Sequence, residues 1–101
     1  MKVFVATAAV IGLLTAAPAF ADADLAKKKN CMACHQLDKK VVGPSYKDVA
    51  EKYRGQADAP AMLAEKVVKG GKGVWGPVAM PPNPTVTAEE AKALVSWILA
   101  M

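Results

Sequence analysis

Histidine and cysteine are scarce in this sequence: its 101 residues include one histidine, His35, and two cysteines, Cys31 and Cys34. A structural zinc site takes four Cys or His ligands, commonly with a second cysteine pair, and is thereby excluded. The two cysteines stand three positions apart, so a bridge between them would close a very small loop and remove little unfolded-state entropy. They read as chemical groups and not as a staple. Aromatic residues make up 6% of the chain and are not interleaved with the basic ones, so the stacking platform of a single-strand nucleic-acid binder is missing. No segment reads as a convincing strand. The longest apolar stretch, residues 3–17, falls short of the roughly 20 residues a membrane-spanning helix needs.

That stretch has its own explanation. Lys2 gives a positive start, residues 3–17 an apolar run, and Ala19-Phe20-Ala21 a small-x-small site before Asp22, which are the three parts of a secretory signal. Residues 1–21 are therefore expected to be a cleaved export signal, with residues 22–101 forming one mature domain in the periplasm and no membrane anchor left after cleavage. Without Lys2 the domain carries 12 basic and 9 acidic residues, a net charge of +3, too mild to argue for nucleic acid. At about this size an apolar core supplies only about 3–5 kcal/mol, and small domains add a disulfide, a metal or a comparable staple.

Four segments carry helical signals. Thr87 and Glu90 have capping-box spacing, and after them Ala91, Leu94, Val95, Ile98 and Leu99 repeat as one apolar stripe. A second helix is expected from Asp58, as N-cap, through Met62, Leu63 and Val67 until Gly70-Gly71 stops it. A shorter one covers about Tyr46 to Tyr53 behind Gly43-Pro44, and a first runs from Asp22 to Asn30. The architecture is all-α. Helices this short are marginal alone, so they need a shared apolar object to pack around.

Residues 31–35, CMACH, name that object. C-x-x-C-H is the attachment site of a c-type haem: two thiols at this spacing can each add to one haem vinyl group, and the following histidine is available as an axial ligand. A thioredoxin-like dithiol is the rival reading, but it expects a βαβ context that the sequence lacks. Met62, Met80, Met101 and the lysines are candidates for the sixth iron position. Met62 lies on a periodic helix face, where methionine usually fills core, and Met101 is expected to fray. Met80 stands in GGKGVWGPVAMPPNP, residues 70–84, between Pro77 and Pro81-Pro82. Each of these prolines fixes its own φ and restricts its neighbour, so the backbone presenting this sulfur is stiffened in advance.

CMACHQ, VVGPSYKDVAEKY, GGKGVWGPVAMPPN and AKALVSWIL, in this order across residues 22–101, resemble the small bacterial class I cytochromes c of the c-551/c-552 type. The resemblance implies four or five short helices wrapped round one covalently attached haem c, held by Cys31 and Cys34, with His35 and Met80 as axial ligands. It implies that the Pro44 carbonyl accepts a hydrogen bond from the His35 ring, that Trp75 donates to a haem propionate, and that Asn83 helps orient Met80. Lys66 stands where an arginine sometimes contacts a propionate, and Ala79 where relatives often carry proline. The function implied is that of a periplasmic single-electron carrier, not an enzyme. It is expected to be a monomer shuttling between respiratory redox proteins, a nitrite reductase or terminal oxidase among them. Lys27, Lys28, Lys29, Lys39, Lys40, Lys47 and Lys69 are expected to form a broken basic rim that steers acidic partners.

Overall fold

The computed structural model describes residues 19–101, with side chains from Asp22 onward. The expected export signal lies outside the described residues, apart from the backbone of residues 19–21. Four helices follow in order, α1 (Ala19–Lys28), α2 (Tyr46–Tyr53), α3 (Ala59–Lys69) and α4 (Ala88–Leu99), with a single 3-10 turn at Cys31–Ala33. Among the described residues there is no strand, only two isolated bridges, His35 with Lys40 and Gly71 with Met80. None of their helices is long and apolar enough to cross a membrane.

α4 is the hub and packs against each of the other three helices. Its capping box is complete: the Glu90 amide donates to Thr87 Oγ1 at 3.1 Å and the Thr87 amide to Glu90 Oε1 at 3.0 Å. From that fixed start its stripe of Ala91, Leu94 and Val95 is buried, and it meets Ala26 of α1, Ala64 of α3 and Val86 in one cluster. The interior is small-grained. Val95 and Ser45 are the largest side chains with less than 2% of their surface exposed.

Both ends of α1 differ from expectation, its start lying at Ala19 and not at Asp22, and the cap of α3 differs in kind although Asp58 keeps the N-cap position. α1 stops at Lys28 and not at Asn30, because Asn30 takes a left-handed conformation (φ 62°) that turns the chain into the cysteine segment. Asp58 does not cap α3 with its side chain; it already has helical angles (φ −87°, ψ −10°), whereas a capping side chain needs an extended residue behind it. Ser45 supplies such a cap for α2, its hydroxyl accepting from the Asp48 amide at 3.1 Å. Met101, expected to fray, is tied down: its amide donates to the Ile98 carbonyl and its carbonyl accepts from Arg54.

Lys29, expected on the basic rim, is instead a clasp between helices. Its Nζ donates to the Thr85 carbonyl at 2.8 Å and lies 3.4 Å from Glu90 Oε1. The Thr87 amide, and after it Lys29, hold the Glu90 carboxyl below its usual range. A carboxylate lowered on folding stabilises above its unfolded pKa and loses that contribution as pH falls through the lowered value. Thr87→Ala is therefore expected to lose about 1 kcal/mol in urea unfolding. Glu90→Gln should flatten the loss of stability below about pH 4.5, measured as the slope of unfolding free energy against pH.

Candidate cofactor site

A cleft of about 270 Å³ is lined by Cys31, Cys34, His35, Lys66, Trp75 and Met80, with Leu94, Val95 and Ile98 contributed by α4. Cys31 and Met80 stand 49 positions apart in the sequence; the fold gathers the lining groups because α3 and α4 pack together and the two long connections close over them.

The histidine is set by consecutive residues. His35 Nδ1 lies 2.7 Å from the Pro44 carbonyl oxygen. A carbonyl can only accept, so Nδ1 carries the hydrogen and Nε2 keeps a free lone pair for a metal. Gly43 passes so close that a Cβ there would fall 2.6 Å from His35 Cε1, and its amide donates to the Cys34 carbonyl at 2.8 Å. The next two residues, Pro44 and Ser45, hold the ring and cap α2. The Tyr46 ring stacks on the imidazole at 5.5 Å and meets Trp97 edge-on at 5.2 Å.

Met80 is set by a backbone clasp. Its amide donates to the Gly71 carbonyl at 2.8 Å, and the Gly71 amide returns a bond to the Met80 carbonyl at 3.1 Å. Gly70 makes this approach feasible: its φ is +80°, and a Cβ would lie 2.5 Å from the Met80 oxygen, a left-handed position that favours glycine. Asn83 fastens the far side of the segment to α3, its amide donating to Val68 O at 3.1 Å and its Nδ2 to Val67 O at 2.8 Å. Asn83 thus bears on Met80 through the backbone. Met62 and Met101, the other methionines weighed as ligands, are both partly buried and do not line the cleft.

Cys31 and Cys34 are not bridged to each other, and each is partly buried. Burial, and to a lesser degree the neighbouring Cys34, pushes the Cys31 thiol up, against a lowering backbone hydrogen bond. Lys66 runs its stem beside Gly71, and Trp75, 40% exposed, stands at the mouth with Val42, Val74 and Val78 also exposed there. Lys40 and Lys72 line the same cleft, and Lys69 is paired with Glu65 on α3.

The sequence alone assigns no role at the site to Gly43, Tyr46 or Ser45, and gives Gly70 only the stop of α3. The Gly before Pro44 and the Ser before a helical run were visible signals for two of them. Nothing local marks Tyr46, whose hydroxyl is buried without a hydrogen-bond partner and whose phenol burial pushes above its ordinary range, Cys31 and Cys34 adding to the effect.

These donors fit a haem. Two thiols sit beside an imidazole with its metal-binding nitrogen free, a soft thioether enters from a separate loop, and the cleft between them is walled mostly by carbon. An orphan hydroxyl in that wall costs about 1–3 kcal/mol if left so, the mark of an interior completed by another group. An all-α shell around such a cleft defines a haem-binding protein of the c type. The chain belongs to the cytochrome c family, whose model, described as Cytochrome c, matches residues 23–101, and members of this family of electron carriers hold one covalently attached haem c. It is 55% identical over 95 residues to cytochrome c-552 of Nitrosomonas europaea, covering 94% of this chain and 92% of that one. To cytochrome c-552 of Hydrogenobacter thermophilus it is 55% identical over 101 residues, covering 100% and 99%. The crystal structure of the wild-type Nitrosomonas europaea cytochrome c552 superposes with a TM-score of 0.76 at 56% identity, over 77% of this chain and 96% of that chain. A class 1 cytochrome, MtoD of Sideroxydans lithotrophicus, gives a TM-score of 0.69 at 42% identity, over 84% and 97%.

Gly43→Ala tests the histidine corner. Either the ring or the backbone must give way, so unfolding free energy should fall by about 1–3 kcal/mol and the visible spectrum of the haem protein should change. Gly55→Ala, whose Cβ meets nothing within 4 Å and which lies off the cleft, should lose about 1–2 kcal/mol to its left-handed φ and leave the spectrum as it was.

Proposed function

We propose that this protein is a periplasmic single-electron carrier whose haem is bonded to Cys31 and Cys34 and ligated by His35 and Met80. The observation that carries this reading is the convergence of those four residues on one cleft, with the His35 tautomer fixed by Pro44. When bound, the haem supplies the one-electron Fe(III)/Fe(II) couple.

The chain's own residues account for the rest. Cys31 and Cys34 would hold the haem covalently through their sulfurs, so that cofactor loss would require bond breakage. The Pro44 carbonyl holds the hydrogen of the neutral His35 ring on Nδ1, which leaves Nε2 as the ligating nitrogen and raises its basicity as a ligand. Met80 offers a soft sulfur that favours the ferrous state and raises the potential, and the Gly71 clasp keeps that sulfur's backbone still while charge changes. With His35 and Met80 both ligating, the iron would keep no position for a substrate, which is the property of a carrier. Trp75 and Lys66, which both line the cleft, are the residues that would meet the propionates.

Electrons would pass at the cleft mouth. Exposed Val42, Val74, Trp75 and Val78 form an apolar collar there, with Lys40 and Lys72 beside it, a pattern suited to a small transient contact with another redox protein. Steering by lysines rests on those two and on the exposed Lys39 and Lys47, and not on Lys29. Residues 1–21 serve as the cleaved export signal, and the mature chain acts as a monomer between respiratory partners, a nitrite reductase or terminal oxidase being the kind its relatives' pattern implies.

The purified protein should retain its haem through acid-acetone extraction; colourless protein with two titratable thiols would refute the reading. Met80→Ala should open the sixth position to added imidazole and lower the reduction potential. Met62→Ala should leave both unchanged and lose roughly 2–5 kcal/mol or less in stability, since the side chain is only partly buried.

A further inference from the structure

Lys52, in the last turn of α2, has no carboxylate partner among the described residues. Its Nζ lies 5.4 Å from the centroid of the Trp75 ring and 6.0 Å from that of Tyr53, within the range at which a cation is held by a ring face. Both rings line the cleft, one buried and one at its mouth. Trp75 has little else to fix it. Among the described residues, the backbone hydrogen bonds that pin its loop stop at Gly71 and resume at Met80, leaving residues 72–79 without a ladder. α2 and this loop are joined at the cleft mouth by the ammonium on the indole.

We propose that Lys52 is a positioning residue for Trp75. Seated on the ring, its ammonium holds the indole at the mouth with the N–H available to an anionic carboxylate of the bound haem, and places a positive charge at that edge. This rests on the haem reading above. The arrangement follows from chemistry alone: an indole face attracts the cation, and a cation with no carboxylate in salt-bridge reach among the described residues remains free to complement a carboxylate brought beside it.

The test uses the haem-loaded protein in its ferrous state. Hydrogen exchange of the Trp75 indole N–H is followed by NMR, with the Trp97 indole as internal reference. Lys52→Met should speed Trp75 exchange roughly two- to fivefold, the range of an exposed cation–π contact, and leave Trp97 unchanged; Lys52→Arg should restore it. The reduction potential should also fall in Lys52→Met, and by less when Trp75 is already leucine, the double-mutant signature of coupling. An unchanged exchange rate, or the same fall in potential with and without Trp75, would show Lys52 to be a bare surface charge and overturn the proposal. Should Trp75→Leu fail to fold, the exchange measurement decides. Failure of the haem reading appears separately and earlier, as wild-type protein without covalent haem.

Discussion

The reciprocal hydrogen bonds between Gly71 and Met80 are the constraint on which the arrangement of this molecule turns. Two bonds between non-neighbouring residues close the glycine- and proline-rich segment onto the end of α3, so the methionine is placed by the same helix that packs on α4. Without that closure residues 72–84 would be a long structureless connection, entropically costly to order and unable to aim a side chain. With it, only the stretch between the two bonded residues is left loose. The tight closure depends on glycine at position 70, where any side chain would collide with the carbonyl that makes one of the bonds.

A second consequence concerns the interior. The buried cluster is built from alanines, two valines and Leu94, and small side chains bring helices close together while contributing little apolar area each. Tyr46 and Tyr53 are the large buried residues, and both face the cleft rather than the helix–helix seams. The helices are thus packed against one another on one side and against the cleft on the other. A family that bonds its haem covalently has made the largest apolar element of its core part of the chain.

Much of this was legible beforehand, for identifiable reasons. The capping box at Thr87 and the stripe behind it are local and periodic, and α4 appears at its expected position. C-x-x-C-H is local too, so the cysteines and histidine could be named from five residues. Asp58 misled because residue type says nothing about whether the capping residue itself is extended. Lys29 misled because its partners, Thr85 and Glu90, are far away in sequence, and a charge count treats every lysine as solvated. The stacking of Tyr46 on His35 needed the turn at Gly43 to be known, since only a close backbone pass brings the start of α2 over the imidazole.

α2 deserves to be seen as a spacer of fixed length. Its capping serine follows directly on the proline that holds His35, and its last turn carries the lysine that reaches Trp75. Eight residues of helix separate those two ends by about 12 Å. Insertion or loss of one residue would not merely lengthen or shorten the element; it would rotate the final turn by about 100° and carry Lys52 off the indole while Ser45 stayed in place. The segment can therefore vary freely in surface composition yet not in register, and the tolerance of this domain to insertions should be lowest in a helix that contains neither of the proposed iron ligands.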